Sequence, residues 1–510
     1  MAPLSLPILP LSSFLSLTVQ GLSSKRSVWE MMGHVLQATT SHGFRHCWTY
    51  RGTVRGFIWL LITLIHVYLL INAISNILHL LASGEVKSQT TMNGDEKMGL
   101  QLPSLVVCNR GIFSKAKLRD LQVPVNISNY LMVMTGSPFL LRRDVLSTEE
   151  GLRFLDEAYT YIQNFLQDRN FTFPELIEAL SLSCEDILVQ CSYGSQAYNS
   201  SDCCMFLEPM TTMLGRCYTI YLNSSFRQVK MDEYSGVSLI LRDVTEHEPE
   251  ILPDILDISL LAKTGLQVTL ISNLTLPHYL VLTQGDVIIP GTFNTMEVFF
   301  TKTDQSGLRT LLNWQEPPCI PPSALSYQHN REALLYSSVN CQLAASFKCL
   351  SLVCPDCMLN GHYELQNNGT RQQPCGIAEA AGCMARLFTL QSSPWDRGCL
   401  QRIMDICVRV CEEQEYVHTT VVGNIPKHLL QHLNQQFQLQ DQHLVSVVTV
   451  FYPAFQYRLI TLYREKLLDI ISNLGGVMGL FLGASLISLL EVLVFSSLAC
   501  RALWGKLRRL

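Results

Sequence analysis

The run Gly475–Ser485, near the end of the chain, carries residue types that could bind ions. It contains four glycines within nine positions: Gly475, Gly476, Gly479 and Gly483. Small residues allow helix backbones to approach closely, and they also allow backbone carbonyls to face a water-filled lumen in place of side chains. The spacing Gly-x-x-x-Gly-x-x-x-Gly fits helix packing as well as ion coordination, so spacing alone leaves both interpretations open.

A single carboxylate, Glu491, lies further along the same apolar stretch. A charge inside a membrane span is costly and almost always faces a bundle interior or water. At 100° per residue, Ala484, Ser488 and Glu491 fall within about 60° of each other, which predicts one small polar stripe. In a symmetric assembly this stripe would form rings, and a carboxylate ring concentrates cations. The alternative is that Glu491 reaches the cytoplasmic interface.

Two apolar stretches are long enough to hold such a site in a bilayer. The first, Phe57–Leu81, has no Lys, Arg, Asp or Glu, and the second, Leu474–Leu498, has Glu491 as its one charged residue. A helix of either length reaches roughly 37 Å, which exceeds the roughly 30 Å hydrocarbon core. Buried helices of a soluble protein are the alternative, but core helices of that length normally show a polar stripe. Charged residues make up 15% of the chain, against about 25% in soluble proteins, which favours membrane spans.

Basic residues at the flanks predict the orientation. They precede the first stretch and follow the second: Arg45, Arg51, Arg55, Arg501, Lys506, Arg508 and Arg509. The positive-inside rule therefore places both termini in the cytoplasm and the residues between the stretches outside the cell. The first 20 residues mimic a signal peptide but have no Lys or Arg ahead of the apolar run, so we expect a disordered cytoplasmic start.

Cysteines and glycosylation sequons support an extracellular region between the spans. Of 18 cysteines, 16 lie between Cys108 and Cys411. An even number in an oxidising compartment predicts disulfides rather than a metal site. The N-x-S/T sequons also all lie in this region: Asn126, Asn170, Asn199, Asn223, Asn273 and Asn368.

Ten of these cysteines follow residue 318 as two sets of five on stretches with helical character. If the two stretches run antiparallel, only a nested ladder joins them without crossing, although sequence cannot prove connectivity. Its rungs would be Cys319–Cys411, Cys341–Cys407, Cys349–Cys399, Cys354–Cys383 and Cys357–Cys375. A second cluster, within 184–204, predicts an irregular stapled protrusion: Cys184, Cys191, Cys203 and Cys204.

The remaining pattern is mixed helix and strand. Residues 147–183 have helical spacing. Several β-rich runs predict strands: Leu102–Cys108, Gly215–Tyr221, Val237–Leu241, Leu266–Ile271, Met296–Thr301 and His443–Leu462. The last of these runs leads directly into the second apolar stretch.

Several motifs resemble the degenerin, epithelial sodium channel and acid-sensing ion channel superfamily over nearly the whole chain. They are Ser41-His42-Gly43, Leu102–Asn109, Gly215-x-Cys217-Tyr218-Thr219, Cys407-x-x-x-Cys411-Glu412-Glu413-x-Glu415-Tyr416 and the run Gly475–Glu491. The adjacent pair Cys203-Cys204 resembles the sequence of invertebrate members of this superfamily.

The resemblance implies an α+β membrane protein that assembles as a trimer. Its extracellular part would be a disulfide-rich domain with palm, finger, knuckle, β-ball and thumb regions. The layout would be a cytoplasmic N-terminus at 1–56, a span at 57–81, the extracellular domain at 82–473, the pore span at 474–498 and a cytoplasmic C-terminus at 499–510.

The resemblance also implies roles for particular residues. Gly483-Ala484-Ser485 would be the selectivity filter, His42-Gly43 a gating element folded back under the pore, and Ser472 the position where a small residue is needed for closure. Cys108–Cys217 matches a family bridge, whereas the partner of Cys184 stays open among the nearby cysteines.

The function implied is a sodium-preferring, amiloride-sensitive cation channel subunit of the plasma membrane, opened by an extracellular stimulus. We expect no enzyme activity, no cofactor apart from the permeant sodium ion and no nucleic-acid partner. The partners would be the lipid bilayer, identical or related subunits and an extracellular ligand. Proton gating is not expected, since Met384–Thr389 and Val448-Thr449-Val450 lack the carboxylates of acid-sensing members.

Three other classes of protein remain open at this stage. An ATP-gated two-span channel would need clustered Lys and Arg for phosphate. A non-conducting regulatory subunit would work only in heteromers. In a two-span receptor or adhesion protein, the glycines would only pack helices together.

Overall fold

A computed structural model describes most of the chain between Gly43 and Ser485. The described residues are 43–94, 98–135, 140–142, 144–212, 214–220, 222, 226–257, 265–272, 275–278, 280–309, 318–321, 326–329, 332–335, 337–342, 375–380, 407–439, 444–485, 488, 490, 493, 494 and 497. His42, Glu491 and the sequons at Asn223, Asn273 and Asn368 lie outside them.

The described helices and strands alternate irregularly, as in an α+β protein. The helices are α1 Phe44–Thr49, α2 Val54–Ser83, α3 Lys115–Asp120, α4 Val125–Thr135, α5 Glu149–Arg169, α6 Phe173–Leu180, α7 Cys184–Ile187, α8 Ser200–Met205, α9 Leu280–Thr283, α10 Lys427–Gln436 and α11 Leu467–Leu482. The strands are β1 Lys87–Gly94, β2 Leu100–Gln101, β3 Ser104–Asn109, β4 Leu188–Tyr193, β5 Gln196–Asn199, β6 Leu207–Thr212, β7 Gly215–Ile220, β8 Arg227–Gln228, β9 Val237–Arg242, β10 Leu266–Ile271, β11 Asp286–Ile288, β12 Thr292–Gly307, β13 Ser326–His329, β14 Glu332–Leu335, β15 Glu412–Asn424, β16 Val445–Phe451 and β17 Gln456–Tyr463.

These elements divide into two compact units. The first contains α1, α2 and α11, and the second contains residues 88–308 and 317–463. Within the described part of the chain, α2 is the helix that is long and apolar enough to cross a membrane. An 18-residue window of this helix has a mean hydropathy of 2.3. Only 11% of that window is buried within the chain, as is typical of a helix that faces lipid or other subunits.

The ends of α2 are fixed by local bonds. Thr53 begins the helix, because its hydroxyl accepts a hydrogen bond from the Gly56 N–H at 3.2 Å. Gly84 ends it with a φ of 61°, a left-handed conformation that glycine adopts without steric cost. The 30-residue helix therefore extends a few residues beyond both ends of the predicted span Phe57–Leu81.

The second unit is built on an eight-stranded mixed sheet. Its order is β1-β17-β12-β16-β9-β4-β5, and β15 also pairs with β12. The 16-residue β12 is central, because its first half lies parallel to β16, its second half lies parallel to β17, and its residues Thr292–Asp304 are antiparallel to β15. A second sheet has the order β11-β10-β3-β7-β6.

Two large apolar cores lie among the described residues of this unit. Residues of both sheets share one core, including Leu105 of β3, Leu239 of β9 and Val448 of β16. Helices α4, α5 and α6 form the other, in which Leu131, Ile162 and Leu176 are at most 1% exposed. Residues 147–183 are thus helical over most of their length, as the spacing predicts.

Five disulfides connect described cysteines. Three of them match pairings expected from sequence: Cys108–Cys217, Cys319–Cys411 and Cys341–Cys407. Cys375 is also disulfide-bonded. The other ladder cysteines lie outside the described residues: Cys349, Cys354, Cys357, Cys383 and Cys399.

The segment 184–204 is more regular than predicted. It forms α7, the antiparallel hairpin β4–β5 and α8, instead of an irregular protrusion. Cys184 pairs with Cys204, and Cys191 pairs with Cys203. The polar and small residues that suggested irregularity act as caps, since the Asn199 side chain accepts a hydrogen bond from the Asp202 N–H at 2.8 Å.

The second apolar stretch also differs from the prediction. Helix α11 begins at Leu467, seven residues before the predicted start of the span, and it ends at Leu482. Gly483, Ala484 and Ser485 are not helical. Hydropathy alone could not locate this interruption, because glycine, alanine and serine are all tolerated within apolar helices.

The outer ladder bridge is expected to contribute measurable stability to the second unit. Because Cys341–Cys407 lies inside it, removing Cys319–Cys411 frees a loop of about 26 residues in the unfolded chain. The double variant Cys319→Ala/Cys411→Ala should therefore lose roughly 3 kcal/mol, measured as a lower unfolding midpoint of the purified protein.

The matched control is Cys47→Ala, which alters a cysteine that is in no disulfide. This variant should leave the unfolding of the second unit unchanged. Non-reducing peptide mapping that linked Cys319 to a cysteine other than Cys411 would contradict the pairing.

Candidate functional site

The glycine-rich helix α11 is capped at its start and contacts α2 near its end. At its start, the Lys466 N–H donates a hydrogen bond to the Asp469 carboxylate at 3.2 Å, and this negative charge also suits a helix N-terminus. Near its end, the Phe481 ring contacts the His66 ring of α2, with 6.5 Å between centroids. The first contact caps α11, and the second joins it to α2.

An ion pair lies next to the same two helices. Lys87, just after α2, pairs with Glu465, just before α11, and their side chains are 38% and 19% exposed. Sequence reasoning did not single out this pair, because 378 residues separate its members. A partly exposed pair contributes about 0–1 kcal/mol, so it supports the helix arrangement without dominating it.

One face of α11 presents almost no side chain. Ser472, Gly476 and Gly479 lie within about 60° of each other on the helix and are all exposed. A Cβ placed on Gly476 would meet nothing within 4 Å. Among the described residues nothing covers this small-residue face, so it is available to lipid, to water or to another subunit.

The helix ends at Gly483 through backbone bonds typical of a glycine C-cap. Gly483 has a φ of 61°, its N–H donates to the Gly479 carbonyl at 2.9 Å, and the Ala484 N–H donates to the Met478 carbonyl at 3.3 Å. The Ala484 N–H is thereby taken from the Leu480 carbonyl, its acceptor in a continuous helix. The break therefore leaves carbonyl oxygens of the last turn open to other partners.

The chain becomes helical again through two serines. The Ser485 N–H donates to Ser488 Oγ at 3.1 Å, and the Ser488 N–H donates to Ser485 Oγ at 3.3 Å. This reciprocal pair has the form of a capping box, with a hydroxyl in place of the usual Glu or Gln side chain. Ser488, Leu490, Leu493, Val494 and Ser497 are helical.

Two members of the predicted stripe of Ala484, Ser488 and Glu491 are described by the structure, and both are buried. Ala484 is 7% exposed and Ser488 is 4% exposed within a single chain, whereas Gly483 and Ser485 are exposed. Glu491, the predicted pore carboxylate, lies outside the described residues.

The predicted gating glycine lies against α2. Gly43 has a φ of 90°, and a Cβ placed on it would lie 2.6 Å from Thr63 Oγ1. Two contacts of α1 hold this arrangement: Cys47 Sγ lies 3.4 Å from Thr63 Oγ1, and the His46 ring stacks on Trp59 at 4.7 Å between centroids. Glycine is therefore required at 43 for both conformation and space.

Three sequon asparagines are described. Asn126, Asn170 and Asn199 are all exposed. Each could therefore carry a glycan without disturbing a core.

Three features are typical of a membrane channel subunit. They are a long apolar helix, a second apolar helix broken at Gly-Ala-Ser, and a disulfide-bonded α+β unit encoded between the two helices. The chain belongs to the amiloride-sensitive sodium channel family, whose model matches residues 35–495. It is 22% identical over 480 residues to the sodium channel protein Nach of Drosophila ananassae, covering 87% of this chain and 82% of that protein.

These matches confirm the superfamily resemblance. The protein is a subunit of the degenerin and epithelial sodium channel class, which consists of plasma-membrane channels, and membership in an ion-channel family implies a non-enzymatic protein.

Substitution of Gly43 should loosen α1 from α2. In Gly43→Ala the added methyl group would collide with Thr63 Oγ1, so α1 should move away and expose Cys47. The rate at which a maleimide modifies Cys47 should rise several-fold in purified protein that carries Cys500→Ser.

Gly52→Ala is the matched control, because Gly52 also has a positive φ, 79°, but nothing within 4 Å of its Cβ position. It should leave the Cys47 rate near that of the parent. Adding Thr63→Ala to Gly43→Ala should restore part of the protection. Equal rates in Gly43→Ala and the parent would refute this packing.

Proposed function

We propose that three copies of this chain form a sodium-preferring, amiloride-sensitive channel of the plasma membrane, opened by an extracellular stimulus. Both termini lie in the cytoplasm, and α11 together with the segment after its break forms the second span. The copies are identical or related subunits. The permeant species is the sodium ion.

The interruption of α11 at Gly483 is the observation that carries this proposal. A helix in a membrane rarely gives up backbone hydrogen bonds unless the freed groups face protein or water. Here the break adjoins the exposed small-residue face formed by Ser472, Gly476 and Gly479. In a threefold assembly this face supports a narrow lumen in which backbone oxygens replace part of a cation's hydration shell.

Helix packing alone accounts for the break less well. A Gly-x-x-x-Gly packing face works in an uninterrupted helix, and it gains nothing from freed carbonyls. The break therefore favours ion coordination over the packing interpretation that spacing alone left open.

The stimulus is expected to be a ligand or a force rather than a proton. On β16, Val448 is fully buried and the Thr449 hydroxyl lies 3.3 Å from Ser238 Oγ, so neutral groups occupy the strand where acid-sensing members carry an acid. The second stretch that guided this expectation, Met384–Thr389, lies outside the described residues.

Expression of the chain alone in oocytes tests the proposed function. A current that falls when sodium is replaced by a large organic cation and that amiloride blocks would support it. Current only after co-expression with related subunits would identify a regulatory subunit instead, and surface protein that is silent in every combination would favour a receptor or adhesion role. Applying peptides, protons and membrane stretch in turn would identify the stimulus.

Substitutions in the Gly-Ala-Ser segment should weaken sodium preference. Gly483→Ala imposes a side chain on a left-handed residue and should shift the adjacent carbonyls, and Ser485→Cys alters the exposed end of the break. The sodium-to-potassium permeability ratio, obtained from reversal potentials, should fall several-fold in both variants.

Gly84→Ala is a close control, since Gly84 caps α2 with the same φ of 61° and has nothing within 4 Å of its Cβ position. Its permeability ratio should equal that of the parent. Unchanged ratios in the Gly483 and Ser485 variants would remove the filter assignment.

Bulk at Ser472 should hold the channel open. Ser472 lies on the exposed small-residue face of α11, so a phenyl group in Ser472→Phe would crowd the lumen of a closed trimer and destabilise that state by overpacking. Constitutive amiloride-sensitive current without any stimulus is the expected result.

Leu467→Phe places the same ring about 140° away on α11 and should not produce this current. Ser472→Ala should also stay closed at rest. If Ser472→Phe behaved like Leu467→Phe, then Ser472 would not face the gate.

A further inference from the structure

The hydrogen bonds of Ser488 determine how one backbone oxygen is aimed at the break. Ser488 is 4% exposed, and its hydroxyl accepts the hydrogen bond of the Ser485 N–H at 3.1 Å. The same hydroxyl lies 3.4 Å from Ser485 Oγ, which accepts from the Ser488 N–H. Ser488 therefore contacts Ser485 through two hydrogen bonds while its side chain is excluded from solvent.

The direction of the Ser485 N–H also sets the direction of the Ala484 carbonyl. Both groups belong to one planar trans peptide unit, in which N–H and C=O point in opposite directions. Because the N–H points toward buried Ser488, the Ala484 carbonyl must point away from it. The Ala484 oxygen lies 4.0 Å from the position that a Cβ on Gly479 would occupy, and Gly479 is on the exposed small-residue face.

We propose that Ser488 is a positioning residue for ion selectivity, because its buried hydroxyl holds the Ser485 N–H and so directs the Ala484 carbonyl toward the lumen. This role rests on the proposed function. It replaces the lumen-facing role suggested by the helical stripe, since a buried side chain acts on the ion path only through the backbone that it holds.

A graded series at position 488 tests this role. Ser488→Ala removes the acceptor, Ser488→Cys keeps the size but offers a weaker acceptor, and Ser488→Thr keeps the hydroxyl. The sodium-to-potassium permeability ratio should fall by roughly fivefold or more in the alanine variant, the factor that corresponds to about one hydrogen bond. It should be intermediate in the cysteine variant and close to the parent in the threonine variant.

Ser497→Ala is the matched control in the same helical segment. The Ser497 hydroxyl donates to the Val494 carbonyl at 2.7 Å and is exposed, so its loss should leave the ratio unchanged. Surface labelling of every variant separates a change in selectivity from a loss of folded channel. A conducting Ser488→Ala channel with the parent's ratio would overturn the proposal.

Hydrogen–deuterium exchange provides a second measurement that needs no current. In the purified full-length protein, the peptide containing Ser485 should exchange faster in Ser488→Ala than in the parent or in Ser488→Thr. Equal exchange in all three proteins would also overturn the proposal.

The proposed function can fail separately from this inference. If Gly483→Ala and Ser485→Cys keep the parent's ratio, the filter assignment is lost whatever Ser488 does. If those variants change the ratio and the position-488 series does not, only the role of Ser488 is lost.

Discussion

The need to satisfy backbone hydrogen bonds in apolar surroundings governs the arrangement of the glycine-rich segment. Helix α11 is apolar, and every amide group that leaves its hydrogen-bond ladder must find another partner or face water. The N–H groups after the break find partners in the Met478 and Gly479 carbonyls and in the Ser488 hydroxyl. The carbonyl oxygens in the last turn of α11 stay available to other partners. The proposed ion coordination depends on these oxygens.

The elements set by local pattern could be predicted from sequence. Strand β10 has the predicted bounds Leu266–Ile271, because six consecutive buried and largely apolar residues form a continuous β-rich run. Helix α2 follows from the length of its apolar run without any knowledge of its neighbours. In each case a single property favours the same structure at every residue of the element: burial in the strand and transfer into lipid in the helix.

The break in α11 could not be placed in the same way. Glycine at 475, 476 and 479 remains helical, whereas glycine at 483 takes a positive φ, and residue type does not distinguish these positions. The distinction comes from Ser485 and Ser488, whose mutual bonds start the next helical segment. Each serine taken alone is compatible with a membrane helix, so only the pair carries the signal.

The disulfides also differ in how well their pairing could be predicted from sequence. Nesting restricts the cysteines after residue 318, which is how Cys319–Cys411 and Cys341–Cys407 could be anticipated. The pairs of Cys203 and Cys204 are nested as well, but no two antiparallel helical stretches were evident there to predict it. Their helix, α8, turns them about 100° apart, so that fully buried Cys203 meets Cys191 of β4 and Cys204 meets Cys184 of α7.

The capping pair has a consequence that follows from its chemistry alone. A box closed by a glutamate would lose its carboxylate charge on acidification, and the bend that it stabilises would then change with the acidity of the medium. Ser485 and Ser488 carry hydroxyls, which stay neutral at every pH a cell encounters. The hydrogen bonds of this capping pair therefore do not change with pH. A response of the channel to acidity would come from titratable groups elsewhere in the chain.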